Sequence, residues 1–191
     1  MKNTLLLLSF IVMLASCSSD DNPKAEHREF RPEDVLVGIK SGTNIYTIFD
    51  FINQFDHKVE NLGSITFTSD LPSDRLQYVL DVLNEKAYTN NGTDWFVTGY
   101  LNYQTNQITI FPRLFGIENL EYQTDWLASM QDLKLKMKHI PAVGSGVIHF
   151  KVPIGSELEW KYQFETDYIV DWVELNYVNT AGPDYPGSRD N

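Results

Sequence analysis

The chain has 191 residues, of which 15 are Lys or Arg and 26 are Asp or Glu, giving a formal net charge of −11 at pH 7. This acidity argues against nucleic acid as a partner, because phosphate backbones repel a negatively charged surface. The only cysteine is Cys17, which excludes a disulfide framework and a cysteine-ligated metal site. The four histidines also lack the spacing of a metal site, so we expect neither a metal nor a cofactor.

The N-terminus has the pattern of a secretion signal. Lys2 supplies a positive charge, and residues 4–15 form a mostly apolar run that is too short to span a bilayer. The run closes on Leu14-Ala15-Ser16-Cys17, which resembles the lipobox of bacterial lipoproteins. The resemblance implies cleavage after residues 1–16 and attachment of diacylglycerol to Cys17. An ordinary signal peptide followed by a free cysteine is the alternative.

A mature chain starting at Cys17 would keep 14 basic against 26 acidic residues, a net charge of −12. Anionic lipid headgroups repel such a chain, so acyl chains on Cys17 must hold it on its membrane. Residues 17–32 are rich in charge and lack apolar periodicity, which predicts a flexible acidic tether. Within them, Ser18, Asp20 and Asp21 resemble the acidic leader that directs some Gram-negative lipoproteins to the outer membrane and its outer face. A plain soluble linker explains the same residues. We therefore expect a location in the cell envelope, and more specifically in the outer membrane with the domain exposed on the cell surface.

Residues 33–178 are expected to form one α+β domain, followed by an irregular tail over 179–191. Alternation at Val35, Val37 and Ile39 predicts a strand, which Ser41-Gly42-Thr43 ends while offering an N-cap. Helical spacing then predicts an amphipathic helix over 44–56, with Asp56-His57 as an exposed terminus.

The middle of the chain predicts a strand, a helix, a β-hairpin and another helix. Ser73 is the expected cap of the first of these helices and Thr124 of the second. Turn residues separate the two alternating stretches of the hairpin. The predicted elements are a strand around Ile65 and Phe67, a helix over 76–83, hairpin strands over 95–103 and 107–111, and a helix through Trp126, Leu127 and Met130.

The last part of the chain returns to strand patterns. Residues 156–165 carry a capping box at Ser156 and Glu159, yet their apolar residues alternate as in a strand; we favour a helix. Four strands are expected to share one antiparallel sheet, covered on one face by the helices 44–56 and 156–165. These strands are Val35–Ile39, Leu133–Met137, Ile148–Val152 and Ile169–Leu175.

Three stretches resemble the propeptides of subtilisin-type serine proteases, which are βαββαβ inhibitor domains. They are DVLVGIKSG at 34–42, GVIHFKVPIG at 146–155 and DYIVDWVELNY at 167–177. The closing stretch has Leu175 where the family usually has proline. The resemblance implies a ferredoxin-like core formed by residues 33–57 and 132–178, with 58–131 as an insertion that the family does not normally have. No protease domain follows, so the partner of such an inhibitor would be a separate secreted or surface protease.

The resemblance also implies a binding site. In such propeptides the outer face of the sheet packs against two protease helices, and acidic groups on the last strand cap the helix N-termini. Glu174 and Asn176 match those positions, on one face of a strand. The chain after the strand runs through the protease cleft, which would hold Asn179, Thr180, Ala181 and Gly182, with Pro183 just past the scissile bond. The alternative is a solvated Glu174 on an ordinary strand and a frayed terminus.

No catalytic pattern is present. Gly144-Ser145-Gly146 lacks the G-x-S-x-G spacing, and its glycines fit a hairpin turn. We therefore expect a protein that binds a partner and is not an enzyme. The second candidate site is the hairpin, where Phe96 and Tyr100 share one face and Trp95 and Tyr103 the other. One set is able to stack on sugar rings or a partner protein, although alternating aromatics also arise when one side of a hairpin is core.

Overall fold

The computed structural model describes residues 29–90, 96–140 and 144–178. Cys17, Trp95 and the predicted cleft segment Asn179–Gly182 lie outside these residues. The described residues form a mixed α+β fold with four α-helices and two antiparallel four-stranded sheets. The strands are β1 Phe30–Ile39, β2 Lys58–Gly63, β3 Phe67–Ser69, β4 Val97–Asn102, β5 Gln107–Pro112, β6 Leu135–Met137, β7 Gly146–Lys151 and β8 Val170–Tyr177; the helices are α1 Ile45–Ile52, α2 Leu76–Asn84, α3 Leu120–Asp132 and α4 Glu157–Glu165.

The first sheet has the strand order β2-β7-β1-β8. Its central strand β1 begins at Phe30, three residues before the expected start at 33. Opposite β1, β7 pairs Phe150 with Val35 and Ile148 with Val37, so their apolar side chains meet on one face. On the other side β8 pairs Leu175 with Val35 and Val173 with Val37. Three of the four strands predicted for one sheet are therefore together.

The fourth prediction was wrong, because the strand near Leu133–Met137 belongs to the second sheet. β6 pairs with β3 there, Leu135 opposite Ser69 and Met137 opposite Phe67. Ser69 Oγ also donates to the Leu133 carbonyl at 2.6 Å, which holds the start of this segment on β3. The fourth strand of the first sheet is instead β2, which lies inside the predicted insertion 58–131.

The sequence pattern of β2 explains why it escaped prediction. Val59 and Leu62 are both fully buried but are three residues apart, so they do not alternate. Pairing with β7 shifts register between Val59 and Asn61, an irregularity of the kind a β-bulge produces. The bulge returns Leu62 to the core face, opposite Ile148.

None of the four helices has the side-chain cap that the sequence predicted. Asn44 caps α1 by accepting the Thr47 N–H at 3.0 Å, so Ser41-Gly42-Thr43 does not provide the cap. Asn119 caps α3 by accepting the Glu121 N–H, which places Thr124 inside the helix, where its hydroxyl donates to the Leu120 carbonyl. Ser73 starts a 3₁₀ turn over Ser73–Arg75 that leads into α2, without a side-chain cap.

The helix favoured over 156–165 is present as α4, although not for the reason expected. Ser156 makes no cap bond; its hydroxyl donates to the Pro153 carbonyl at 2.7 Å. The alternating aromatics that suggested a strand instead divide around the helix. Phe164 is fully buried and Trp160 is partly buried against the core, whereas Tyr162 is 65% exposed.

An aromatic cluster holds α1 and α4 on the same face of the first sheet. Phe164 of α4 stacks on Phe150 of β7 with ring centroids 4.6 Å apart. Phe51 of α1 contacts both rings edge-on, at 6.1 and 6.2 Å, and Phe55 lies 5.0 Å from Phe164. His57, expected at an exposed terminus, is half-buried with its ring 4.1 Å from that of Trp160. Burial lowers the pKa of His57 against the opposing effect of the Asp56 charge.

The second sheet has the order β4-β5-β3-β6 and contains the predicted hairpin as β4 and β5. Its inner face shares a continuous core with the first sheet. Leu62 and Leu114 exchange backbone hydrogen bonds of 2.8 and 2.9 Å, which ties the segment after β5 to the edge of β2. Trp126 of α3 packs against Phe67 of β3 at 5.4 Å.

Candidate functional site

The face of the first sheet opposite α1 and α4 carries the predicted protein-binding residues; we call it the outer face. Cross-strand pairing places Glu174 opposite Leu36 and Trp172 opposite Gly38, on the side away from Phe150. The same alternation places Asp34 opposite Lys151. The outer face consists of Asp34, Leu36, Gly38, His149, Lys151, Trp172, Glu174 and Asn176.

A buried carboxylate organises the end of this face where β1 starts. Asp34 is only 2% exposed. Its Oδ1 accepts from Lys151 Nζ at 2.5 Å and its Oδ2 from Asn176 Nδ2 at 2.8 Å. His149 Nε2 lies 3.1 Å from Oδ1, within ion-pair distance, but the two groups do not meet hydrogen-bond geometry.

These partners determine the protonation of Asp34. Burial raises the pKa of this carboxyl, but the hydrogen bonds from Lys151 and Asn176, together with the nearby His149 ring, outweigh burial and hold the pKa below its usual value. The pKa of Lys151 is raised, chiefly by its hydrogen bond to Asp34. Both groups are therefore charged at neutral pH, and the pair ties β7 to β1 across the sheet.

The predicted capping residues differ in their availability to a partner. Glu174 is exposed, whereas Asn176 is half-buried and its amide donates to Asp34. Trp172 is 39% exposed and covers Gly38, where an added Cβ would lie 2.1 Å from the indole ring. On the outer face, Glu174 therefore offers an accessible charge and Trp172 an accessible apolar surface.

Sequence reasoning missed most of this network. His149 and Lys151 lie in the predicted strand Ile148–Val152, and Asp34 lies just before the predicted strand Val35–Ile39, but nothing in the sequence gives the register that brings them together. The available signal is a pair of opposite charges, Asp34 next to one predicted strand and Lys151 in another, because opposite charges favour cross-strand pairing.

The second candidate site lies on the outward face of the hairpin. Tyr100 and Phe111 are 46% and 39% exposed, with ring centroids 5.9 Å apart and planes 24° from parallel. Phe96 lies just before β4 and packs on Phe115 at 4.5 Å, with the Arg113 guanidinium 5.9 Å from its ring. Tyr100 is not part of the core, because Val97, Ile108 and Ile110 supply the buried side of the hairpin.

No family model, curated protein or solved structure matches this chain. Function has to follow from the geometry of the chain itself. Across residues 29–90, 96–140 and 144–178, His, Asp and Glu side chains form no group able to hold a metal ion. Over the same residues, no helix is long and apolar enough to cross a bilayer.

Proposed function

We propose that this protein is a non-catalytic binding protein of the cell envelope, held on a membrane by lipid at Cys17. Its protein partner binds the outer face of the first sheet. The elements of that sheet support a ferredoxin-like βαββαβ core, because they follow the chain order β1-α1-β2-β7-α4-β8 and the strand order β2-β7-β1-β8. In this arrangement the second sheet is an insertion between β2 and β7.

The sharpest form of the proposal is inhibition of a subtilisin-type protease by a free-standing relative of its propeptide. The observation that carries it is the exposed carboxylate of Glu174 on the outer face, on the edge strand β8, whose motif resembles the propeptide's. A carboxylate at this position is suited to the N-terminus of a partner helix, where unpaired N–H groups and the helix dipole favour negative charge. Asn176 contributes indirectly, because its amide is held by Asp34.

The test is inhibition of a panel of subtilisin-type proteases by the chain starting near Ser18. Loss of a helix cap costs about 1 kcal/mol, and roughly twice that where the interface excludes water. Glu174→Ala is therefore expected to weaken inhibition by about five- to thirty-fold. The fold should not change, because Glu174 is exposed.

Asp171→Ala is the matched control, since it removes the same charge from an exposed position of β8 at the register shift before Trp172, outside the Glu174–Leu36 pair. An equal loss of inhibition in both variants would mean that the effect comes from overall charge and not from a helix cap at Glu174. No inhibition by the intact chain at micromolar concentration would refute the protease-inhibitor form.

A specific observation favours a second candidate function, glycan binding at the hairpin. Tyr100 and Phe111 present adjacent, nearly parallel rings to solvent, the arrangement on which apolar faces of sugar rings stack. Tyr100→Ala is expected to weaken binding to a responsive glycan about threefold to tenfold. Tyr103→Ala is the control, because Tyr103 is 89% exposed in the turn between the two strands. A glycan array without any hit, or an equal loss in both variants, would contradict this function.

A further inference from the structure

Helix α4 carries an exposed apolar stripe on the side away from the sheet. Ile154 in the preceding turn is 74% exposed, and Leu158 and Tyr162 in the helix are 55% and 65% exposed. A spacing of four residues places Leu158 and Tyr162 on one side of the helix. Phe164 and Glu157, both buried, lie toward the sheet. We call Ile154, Leu158 and Tyr162 the α4 stripe.

The stripe begins beside Glu33, in the first half of β1, the first described strand. Glu33 N donates to Glu157 Oε1 at 2.9 Å, and Val152 N donates to the Glu33 carbonyl at 2.8 Å. Residues 18–28 separate Cys17 from the first described residue, and eleven residues reach at most roughly 40 Å when fully extended. A lipid on Cys17 would therefore keep the stripe within reach of the membrane surface.

The surroundings of the stripe indicate which lipids it suits. Lys161 pairs with Glu165, so the helix brings no net positive charge from this pair to a bilayer. Lys161 Nζ also lies 5.9 Å from the ring of Tyr162. The net charge of −12 of a chain starting at Cys17 (14 basic against 26 acidic residues) disfavours anionic lipids. Tyr, Leu and Ile are residues that enter the interface of a neutral bilayer.

We propose that the α4 stripe docks on the zwitterionic surface of the bilayer in which Cys17 is anchored. This inference rests on the proposed lipid anchor. The outer face lies on the opposite side of the same sheet, so docking through α4 turns Glu174 and Trp172 away from the membrane. The lipid on Cys17 thus determines the location of the domain, and docking through α4 determines its orientation. This orientation leaves the outer face open to a partner protein.

The experiment uses the lipidated chain in phosphatidylcholine vesicles containing a nitroxide-labelled lipid. Cys17 is the only cysteine, and its thiol would carry the lipid, so Leu158→Cys introduces one free thiol for a fluorophore. We expect nitroxide quenching of the fluorophore at position 158 to be at least three times that of a fluorophore at position 103 or 174. The two control positions are introduced by Tyr103→Cys and Glu174→Cys. Adding Ile154→Glu and Tyr162→Glu should reduce quenching at 158 to the control level.

Each outcome decides the inference. Equal quenching at positions 158, 103 and 174 in vesicle-bound protein would refute docking while leaving the anchor intact. A chain that does not sediment with the vesicles would refute the anchor and the docking together, and Cys17→Ser, which should abolish sedimentation, gives the reference for that case. A label at 158 that is shielded from iodide in the unlipidated Cys17→Ser chain, without vesicles or detergent, as strongly as in the vesicle-bound protein would assign the stripe to a protein contact and refute the membrane as its occupant.

Discussion

Phe164→Ala is expected to lower the free energy of unfolding by about 3–5 kcal/mol, the usual cost of deleting a fully buried aromatic side chain. Phe164 is 0% exposed and contacts the rings of Phe51, Phe55 and Phe150. The substitution leaves a cavity between α1, α4 and β7, which these rings hold together. Urea unfolding followed by tryptophan fluorescence measures the change.

Tyr162→Ala is the matched control on the same helix, expected to change the free energy of unfolding by less than about 0.5 kcal/mol because Tyr162 is exposed. If residues 156–165 were instead a strand, Tyr162 and Phe164 would lie on the same face, and the two substitutions would have similar costs. Comparable losses for the two variants would therefore contradict the helix.

Asp34→Ala is expected to lower the free energy of unfolding by about 2–3 kcal/mol. Removing one partner of a fully buried ion pair costs about 3–5 kcal/mol, but the side chain of Lys151 is 32% exposed, so water compensates part of its loss. Asn176 also loses the acceptor of its amide. Glu174→Ala, which removes an exposed carboxylate from the same face, should change stability by less than about 0.5 kcal/mol.

The loss in the free energy of unfolding caused by Asp34→Ala should become smaller at low pH. Because the folded-state pKa of Asp34 is lowered, the folded protein binds this proton less readily than the unfolded chain does. The stabilisation is therefore complete above the ordinary carboxyl pKa of about 3.9 and is lost as the pH falls through the folded-state value. The difference between wild type and variant should narrow below about pH 3.9; a difference that stays constant or widens there would contradict the assigned role of Asp34.

The Asp34 variant also bears on the proposed function. Asp34 positions Asn176 and Lys151 beside the exposed Glu174, so its loss should loosen one end of the outer face without removing the carboxylate that we propose for helix capping. Stability measurements on Asp34→Ala should therefore be made before its inhibition is compared with that of Glu174→Ala. Inhibition that falls only in proportion to the folded fraction would assign Asp34 a structural role.

Local patterns in the sequence determined most of the secondary structure. The alternation of Val35, Val37 and Ile39 is visible without a structure, because a strand with one buried face repeats every two residues. The helical spacing from Ile45 to Ile52 and the turn between β4 and β5 are equally local. These patterns were sufficient to predict an α+β chain with a hairpin, and to place Glu174 and Asn176 on the same side of one strand.

Only the tertiary structure decided which strands share a sheet. Leu135 and Val59 are both buried strand residues, and no local property places β6 beside β3 and β2 beside β7. The choice depends on pairing between distant residues, such as Leu62 with Ile148 and Leu135 with Ser69. The bulge in β2 and the exact cap of each helix are likewise settled by packing and by which backbone groups find partners.

The same division applies to the candidate sites. The lipobox resemblance at Cys17 and the closing motif around Glu174 are local, so they are present in the sequence alone. The burial of Asp34, the covering of Gly38 by Trp172 and the exposure of Tyr100 depend on register and on which face meets the core. Residues 117 to 142 positions apart in the chain meet at Asp34, and a contact of that range is defined only once the sheet has formed.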